Sequence, residues 1–177
     1  MRLHRPSATF EDAAMSDSIQ LREALPEDAP AMAALAQSLL SQLLADPADP
    51  ATADFRTSLN EAAVADRLAD PDYRHWLALA DGQLVGQLSL RGFSHLYHLF
   101  IAADWQRRGV GRQLWLRALD STLVQAVPAV FTVNAAPAAV PAYERWGFRA
   151  VEAPQRQNGI DYVPMELRGP ALAVALN

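Results

Sequence analysis

A change in the period of the hydrophobic pattern, across a turn that contains Gly109 and Gly111, most constrains how this chain can fold. Residues 95–101 alternate between two faces, as a strand does, whereas the apolar residues from 110 to 122 recur at helical spacing. A strand, a glycine-containing turn and an amphipathic helix in this order are typical of proteins in which helices pack on a sheet. The sequence therefore predicts an α/β (α+β) fold.

Shorter elements are predicted along the rest of the 177 residues, which suffice for one domain with a hydrophobic core. Asp81-Gly82 is a hairpin signal between two strand-like runs. Residues 58–61 form a capping box for a helix that ends near residue 68. Strands are predicted at 19–24, 76–80, 84–90, 95–101, 130–134, 148–151 and 162–167. Further helices are predicted after residue 26 and at 141–146, with loops at 45–54 and between the last two strands.

Composition excludes several functional classes. The chain has no cysteine, so it has no disulfide, no thiolate metal site and no thiol nucleophile. Its net charge of −5 argues against nucleic acid or an anionic membrane surface as a partner and is compatible with cationic ligands. It has neither a membrane-spanning segment nor a secretory signal, which predicts a cytoplasmic protein. We expect a disordered extension at 1–17, one domain at 18–168 and a tail at 169–177.

The turn before the long helix has the composition of an anion-binding site. Its glycines allow a ligand to approach the backbone closely, and the first N–H groups of the helix point outward as donors. Arginines add positive charge, which favours a phosphate or pyrophosphate. The spacing is that of neither a P-loop nor a G-x-G-x-x-G motif, and by itself it fits a simple turn with solvated arginines equally well. The residues concerned are Gln106, Arg107, Arg108, Gly109, Val110, Gly111 and Arg112.

The motif Q/R-x-x-G-x-G/A between a strand and a helix resembles the acetyl-CoA signature of the GNAT (Gcn5-related) N-acetyltransferases. Here it consists of Gln106, Gly109 and Gly111. Tyr143 to Phe148 is similar to the tyrosine and Gly-Phe helix end of that family. Residues 24–28, 131–134 and 162–167 resemble its first strand-to-helix turn, its fifth strand and its last strand, in order and at family spacing.

The resemblance implies a mixed, mostly antiparallel sheet of six to seven strands, splayed between strands 4 and 5, with about four flanking helices. Acetyl-CoA would lie in the opening as a co-substrate, with no metal, and its pantetheine arm would bond to an exposed strand edge. The cofactor-binding residues that the resemblance implies are Leu99, Phe100, Ile101, Gln106, Arg107, Arg108, Gly109, Val110, Gly111, Arg112, Asn134 and Tyr143.

The resemblance also assigns catalytic roles. The Tyr143 hydroxyl would protonate the departing thiolate, which suits a phenol that is protonated at neutral pH; a core tyrosine is the alternative. His95 is the candidate base, acting directly or through water, and the alternative is a histidine that caps a turn. Tyr97 is expected to line the acceptor pocket. Strict alternation places His95, Tyr97 and Leu99 on one face, and His98 on the other, packed against a helix.

The resulting hypothesis is acetyl transfer from acetyl-CoA to a primary amine by direct attack in a ternary complex. Another acyl-CoA on the same scaffold, or a non-catalytic module that binds CoA or a partner, are the alternatives. In this family residues 27–70 would wall the acceptor side, and they carry no recognised motif. Small-molecule amines, amino acids and peptide N-termini therefore all stay open as acceptors. Homodimers are common in the family, and the sequence does not decide that point.

Overall fold

The computed structural model describes residues 18–124, 128 and 130–169, and their centre is one mixed sheet. The predicted extension at 1–17 and nearly all of the predicted tail lie outside these residues. The strands are β1 (Ile19–Glu23), β2 (Tyr73–Ala80), β3 (Gln83–Arg91), β4 (His95–Ile101), β5 (Val130–Ala135), β6 (Arg149–Ala150), β7 (Gln155–Gln157) and β8 (Ile160–Arg168). The helices are α1 (Ala29–Ser38), α2 (Leu40–Leu43), α3 (Ala53–Ser58), α4 (Glu61–Ala69), α5 (Val110–Leu123) and α6 (Val140–Arg145).

The sheet opens between its fourth and fifth strands. Its order is β1-β2-β3-β4-β5-β8-β6, with β7 paired to β8, and every pairing is antiparallel except that of β4 with β5. The parallel pair is joined only at His95–Thr132 and Leu96–Val133, after which the two strands separate. This confirms the predicted mixed sheet and its splay. The described residues form eight strands, whereas six or seven were predicted.

Helix α5 covers one face of the sheet and forms the main core there. Leu114, Trp115 and Leu119 are essentially fully buried. The indole of Trp115 meets Phe131 of β5 edge-on at 5.3 Å, and it also contacts Phe148 at 5.5 Å. The helix therefore bridges the two halves of the sheet on the side where they diverge. Within the part of the chain that the structure describes, no helix is long and apolar enough to cross a bilayer.

Helices α1 and α4 pack on the opposite face, where Met32, Val64 and Leu77 form a second core. The side chain of Asn60 caps α4 by accepting the N–H of Ala63 at 2.8 Å. Helix α4 is therefore capped by Asn60 and not by Ser58, the predicted first residue of the capping box. Ser58 ends the preceding helix α3, and its hydroxyl donates to a carbonyl of that helix. The predicted loop at 45–54 contains a single 3-10 turn and the start of α3.

Two tight hairpins carry left-handed residues at the turn. Asp81 and Gly82 have φ values of 49° and 78°, as the predicted Asp-Gly hairpin requires. Asn158 and Gly159, at 49° and 75°, form an equivalent turn between β7 and β8. The polar loop predicted between the last two strands is therefore partly a hairpin, because it contains the short strand β7. The Asn-Gly pair was the available signal, but the short polar strand Gln155–Gln157 before it has no alternating pattern.

A β-bulge at Tyr97 changes which side chains of β4 share a face. Consecutive residues of β3 lie opposite Leu96 and His98, so Tyr97 has no partner on that strand. The rings of Tyr97 and His98 consequently contact each other, with centroids 4.3 Å apart, and His98 contacts Phe100 at 4.8 Å. Leu99 packs with the α5 core on the other face. The predicted separation of His98 from Tyr97 was wrong, because a bulge interrupts the two-residue period.

We expect Gly86→Val to destabilise the fold by about 2 kcal/mol, since extra core volume forces neighbours to move. A Cβ atom at Gly86 would lie 2.9 Å from the Ile101 side chain and 3.1 Å from that of Leu114. The measurement is the free energy of unfolding in urea. Gly169→Val is the control, because a Cβ at Gly169 meets nothing within 4 Å. Equal stability of the two variants would contradict the prediction.

Candidate functional site

A cavity of about 510 Å³ opens where β4 and β5 separate. The end of β4 forms one wall, the first turn of α5 forms the floor, and α6 with the turn before it forms the opposite wall. The end of α1 and the short helix α2 close a further side. The lining residues from these four parts are Leu99, Phe100 and Ile101; Gly109, Val110, Gly111 and Arg112; Ala136, Ala138, Ala139, Ala142 and Tyr143; and Leu39, Gln42 and Leu43.

Most of the residues predicted to bind the cofactor meet at this cavity. Those that line it are Leu99, Phe100, Ile101, Gln106, Arg107, Gly109, Val110, Gly111, Arg112 and Tyr143. Four predicted site residues do not line it: Arg108, Asn134, His95 and Tyr97. Trp105, Trp146, Arg145 and the α1–α2 residues were missed. Arg145 and Trp146 lie within the Tyr143–Phe148 motif but were given no role, and the other residues belong to no motif. The packing of α2 and α6 across the opening brings them to the site.

The turn into α5 adopts the backbone conformation that its glycine permits. Gly109 caps the helix at φ 83°, and Arg107 is also left-handed at φ 60°. A Cβ at Gly109 would meet no atom within 4 Å, so glycine is favoured there by the backbone angle rather than by lack of space. The first N–H groups of α5 have no acceptor within the helix, and the cavity is adjacent to them.

The cavity is apolar inside and positive at its floor. Arg107, Arg112 and Arg145 line it, and among the described residues no carboxylate does. The guanidinium of Arg108 lies 4.5 Å from the centre of the Trp105 ring. Cationic side chains together with a helix N-terminus suit an anionic ligand. Within the described ranges, no group of three or more His, Asp or Glu side chains is arranged to hold a metal ion.

Gln106 connects the turn to both neighbouring walls. Its Nε2 donates to the carbonyl of Ile101 at 3.0 Å and to Oε1 of Gln42 at 2.9 Å. The first contact provides a donor for a carbonyl at the end of β4, because β5 has separated from β4 there and cannot pair with it. The second contact ties α2 to the entrance of α5. The first residue of the sequence motif therefore holds the walls of the cavity together.

Tyr143 is buried, at 5% exposure, yet it lines the cavity. Its ring packs edge-on against Trp146 at 5.2 Å and Phe148 at 5.5 Å, which fixes its orientation. Burial raises the pKa of its phenol above the ordinary value, so the group stays protonated at neutral pH. Its hydroxyl has no hydrogen-bond partner among the described residues. The side chain can therefore donate a proton to a ligand in the cavity.

His95 lies at the closed end of the β4–β5 opening. Its Nδ1 is 2.8 Å from Oγ1 of Thr132, which the parallel pairing places opposite it. Burial lowers the pKa of His95, and the nearby Arg91 cation lowers it further, so the ring is neutral at pH 7. The proton-accepting form is thus available, but the ring does not touch the cavity.

Comparison with known proteins identifies the same architecture. A family model described as an acetyltransferase (GNAT) domain matches residues 43–168. No curated protein matches the chain. A GCN5-related N-acetyltransferase (Aminotransferase, Class-II) of Rhodopseudomonas palustris is 25% identical with a TM-score of 0.70, and the match covers 85% of this chain and 95% of that one.

Two further solved structures share the fold at lower identity. The PaiA N-acetyltransferase of Thermoplasma acidophilum, solved in complex with coenzyme A, is 16% identical with a TM-score of 0.69, and covers 86% of this chain and 99% of its own. A mutant spermidine N-acetyltransferase of Vibrio cholerae is 19% identical with a TM-score of 0.62, over 87% of this chain and 95% of its own.

We expect the stability of the protein to fall as the pH drops from 7.5 to 5.5. Burial lowers the pKa of His75 and His95, and burial with the nearby Arg67 lowers that of His98 to about 3. Unfolded histidines titrate near pH 6.5, so below that pH the unfolded chain binds more protons than the folded one. Each such histidine lowers the free energy of unfolding by up to about 1.4 kcal/mol for each pH unit below 6.5.

Urea unfolding across this pH range measures the effect, with His98→Gln as the comparison. The variant lacks one of these histidines, so its stability should depend less steeply on pH than that of the wild type. Parallel curves for the two proteins would show that His98 does not contribute.

Proposed function

Because the chain belongs to the GNAT family of acetyltransferases, we propose that it transfers the acetyl group of acetyl-CoA to a primary amine by direct attack in a ternary complex. The observation that carries this proposal is the cavity between β4 and β5, which combines an arginine-rich helix entrance with a buried, protonated tyrosine. The chain has no cysteine, which agrees with direct attack rather than a thiol intermediate.

The lining residues fit the parts of a CoA molecule. The first turn of α5, with Arg107 and Arg112, would hold the pyrophosphate, since these residues line the cavity and helix N–H donors and guanidinium groups bind phosphate oxygens. The edge of β4 from Leu99 to Ile101 would pair with the amides of the pantetheine arm, because β5 leaves that edge unpaired. Arg108 and Asn134 lie outside the lining and would contact only a ligand that extends beyond it.

Each step of the proposed reaction can be assigned to groups of this chain. Acetyl-CoA, when bound, supplies the thioester that the amine attacks. Backbone N–H groups near Leu99 and Phe100 would polarise its carbonyl, as an oxyanion site does. His95 would take the amine's proton through water, since its ring is neutral but outside the cavity. Tyr143 would return a proton to the sulfur.

A longer acyl donor is the second candidate, and the alanines of the α6 wall favour it. Ala136, Ala138, Ala139 and Ala142 line the cavity opposite β4 and leave space that larger side chains would fill. Free-thiol release from a series of acyl-CoAs of increasing chain length distinguishes the two donors. The same proposal includes a small-molecule or peptide amine as the acceptor, a cytoplasmic location and a homodimeric assembly.

We expect Tyr143→Phe to lower kcat by about 100-fold, the size of a typical general-acid contribution, because the ring packing is kept and only the proton donor is removed. Steady-state thiol release measures kcat, and calorimetry should show CoA affinity within a factor of two of the wild type. Tyr162→Phe is the matched control, because that hydroxyl bonds to Gln155 in the β7–β8 hairpin, away from the cavity. An unchanged kcat would exclude Tyr143 as the acid.

We expect Ala142→Trp to weaken CoA binding at least tenfold, because the indole would occupy the cavity. Ala150→Trp is the control: it makes the same change at an exposed residue of β6 that does not line the cavity. Calorimetric titration with CoA measures both variants. Full CoA affinity in Ala142→Trp would show that the ligand binds elsewhere and would refute the assignment of the site.

A further inference from the structure

The turn of the β7–β8 hairpin has no room for a side chain, because another segment of the chain packs directly on it. Gly159 is left-handed at φ 75°. A Cβ atom there would lie 2.8 Å from Cγ2 of Thr52 and 3.2 Å from Oδ2 of Asp49, and the first of these distances is a steric clash. We call this contact between residues 49–52 and residues 158–159 the bridge.

Residues 49–52 present a well-ordered surface to the hairpin. The Asp49 carboxylate accepts the N–H of Ala51 at 2.9 Å, and the Asp49 carbonyl accepts the hydroxyl of Thr52 at 2.8 Å. Thr52 is only 1% exposed, although its neighbours Pro50 and Ala51 are exposed. The hydroxyl is therefore held by the 3-10 turn, which leaves the methyl group to pack against the hairpin.

The bridge joins the two halves of the sheet. Residues 49–52 lie between α2 and α3, and Phe55 of α3 packs in one core with the end of β4. The hairpin belongs to the other half, because β8 pairs with β5. These two strands are antiparallel, and Val163 lies opposite Ala135, the last residue of β5. Residues 160–162 therefore extend past β5 at the end where β4 and β5 have separated.

The opening between the halves is thus linked at both ends. The strand pairs His95–Thr132 and Leu96–Val133 join the halves at one end, and the bridge joins them at the other. Together they form a closed frame. Helix α5 covers the opposite face of the sheet, and the cavity is lined by α5, β4, α6 and α2 but by no residue of the bridge. When CoA fills the cavity, the acceptor has to enter through the frame.

From this arrangement we infer that the bridge restricts the acceptor to small-molecule amines, and that Gly159 is the specificity-determining residue that lets the bridge close. The inference rests on the proposed acetyl transfer and selects between its two classes of acceptor. A peptide adds up to about 3.3–3.6 Å of chain for every residue behind its amine. Those residues need a groove that is open at one end, whereas a small amine fits inside a closed frame.

The test uses two conjugates in which a CH₂–CO group joins the sulfur of CoA to an amine nitrogen, so that one molecule occupies the donor and acceptor sites together. One conjugate carries propylamine, and the other carries the N-terminal amine of a penta-alanine peptide. Calorimetry gives the Kd of each conjugate and of CoA without any turnover. Thiol release from acetyl-CoA with propylamine and with the free peptide is the second readout.

The variants are Gly159→Asn and the matched control Gly82→Asn. Both glycines are the second residue of a two-residue hairpin turn, with φ values of 75° and 78°, and asparagine tolerates this backbone region. A Cβ atom at Gly82 meets nothing within 4 Å, so only the side chain at position 159 pushes the bridge apart. The difference between the variants therefore measures the bridge and not the turn.

We expect the wild-type protein to bind the propylamine conjugate at least tenfold more tightly than the peptide conjugate. Gly159→Asn should reduce that ratio at least fivefold, whereas Gly82→Asn should keep it. CoA affinity should stay within a factor of two in both variants, because no residue of the bridge lines the cavity. The wild-type comparison decides the question even if Gly159→Asn fails to fold.

Equal or tighter binding of the peptide conjugate by the wild-type protein would overturn the inference and leave acetyl transfer intact. So would the same ratio in Gly159→Asn and Gly82→Asn. A tenfold preference for the propylamine conjugate without thiol release from these or other primary amines would instead refute the proposed transfer and retain the size restriction.

Discussion

The early end of the β4–β5 pairing is the constraint on which the rest of the structure depends. Only two residue pairs join these strands, and beyond Leu96 each strand has one unpaired edge. Unpaired N–H and C=O groups inside a fold are costly unless something satisfies them. Here Gln106 satisfies the Ile101 carbonyl, and the cavity gives a ligand access to the neighbouring groups. The same divergence leaves room for the first turn of α5 at the floor.

Helix α5 lets the sheet diverge without losing its core. Trp115 contacts Phe131 of β5 and Phe148, while the first turn of the helix packs on Gly86 of β3. Both halves of the sheet therefore rest on one rigid element. The opposite face carries the rings of Tyr97 and His98 and the guanidinium groups of Arg67 and Arg91, which lie 5.9 and 6.0 Å from the centre of the Tyr97 ring.

Elements that are set by neighbouring residues in the sequence were predicted better than elements that depend on strand register or helix packing. The bounds of β4 and the Asp81-Gly82 hairpin were confirmed, because alternation and turn residues act within a few positions. The start of α4 was placed at Ser58 instead of Asn60, because both side chains can cap a helix and only the end of α3 decides between them. The bulge at Tyr97 has no sequence signal, since it exists only in the register with β3.

The sequence by itself determined the strand–turn–helix unit and the glycine at the entrance of α5, because these depend on backbone angles and periodicity within short segments. The motif that begins at Gln106 was assigned through its resemblance to the GNAT family. The tertiary structure decided which of the motif residues face one cavity and which walls close it. It also decided that the Tyr97 and His98 rings contact each other and that Arg67 and Arg91 both lie near the Tyr97 ring. Those are contacts between residues far apart in the chain, and they arise from strand register and helix packing rather than from any local preference.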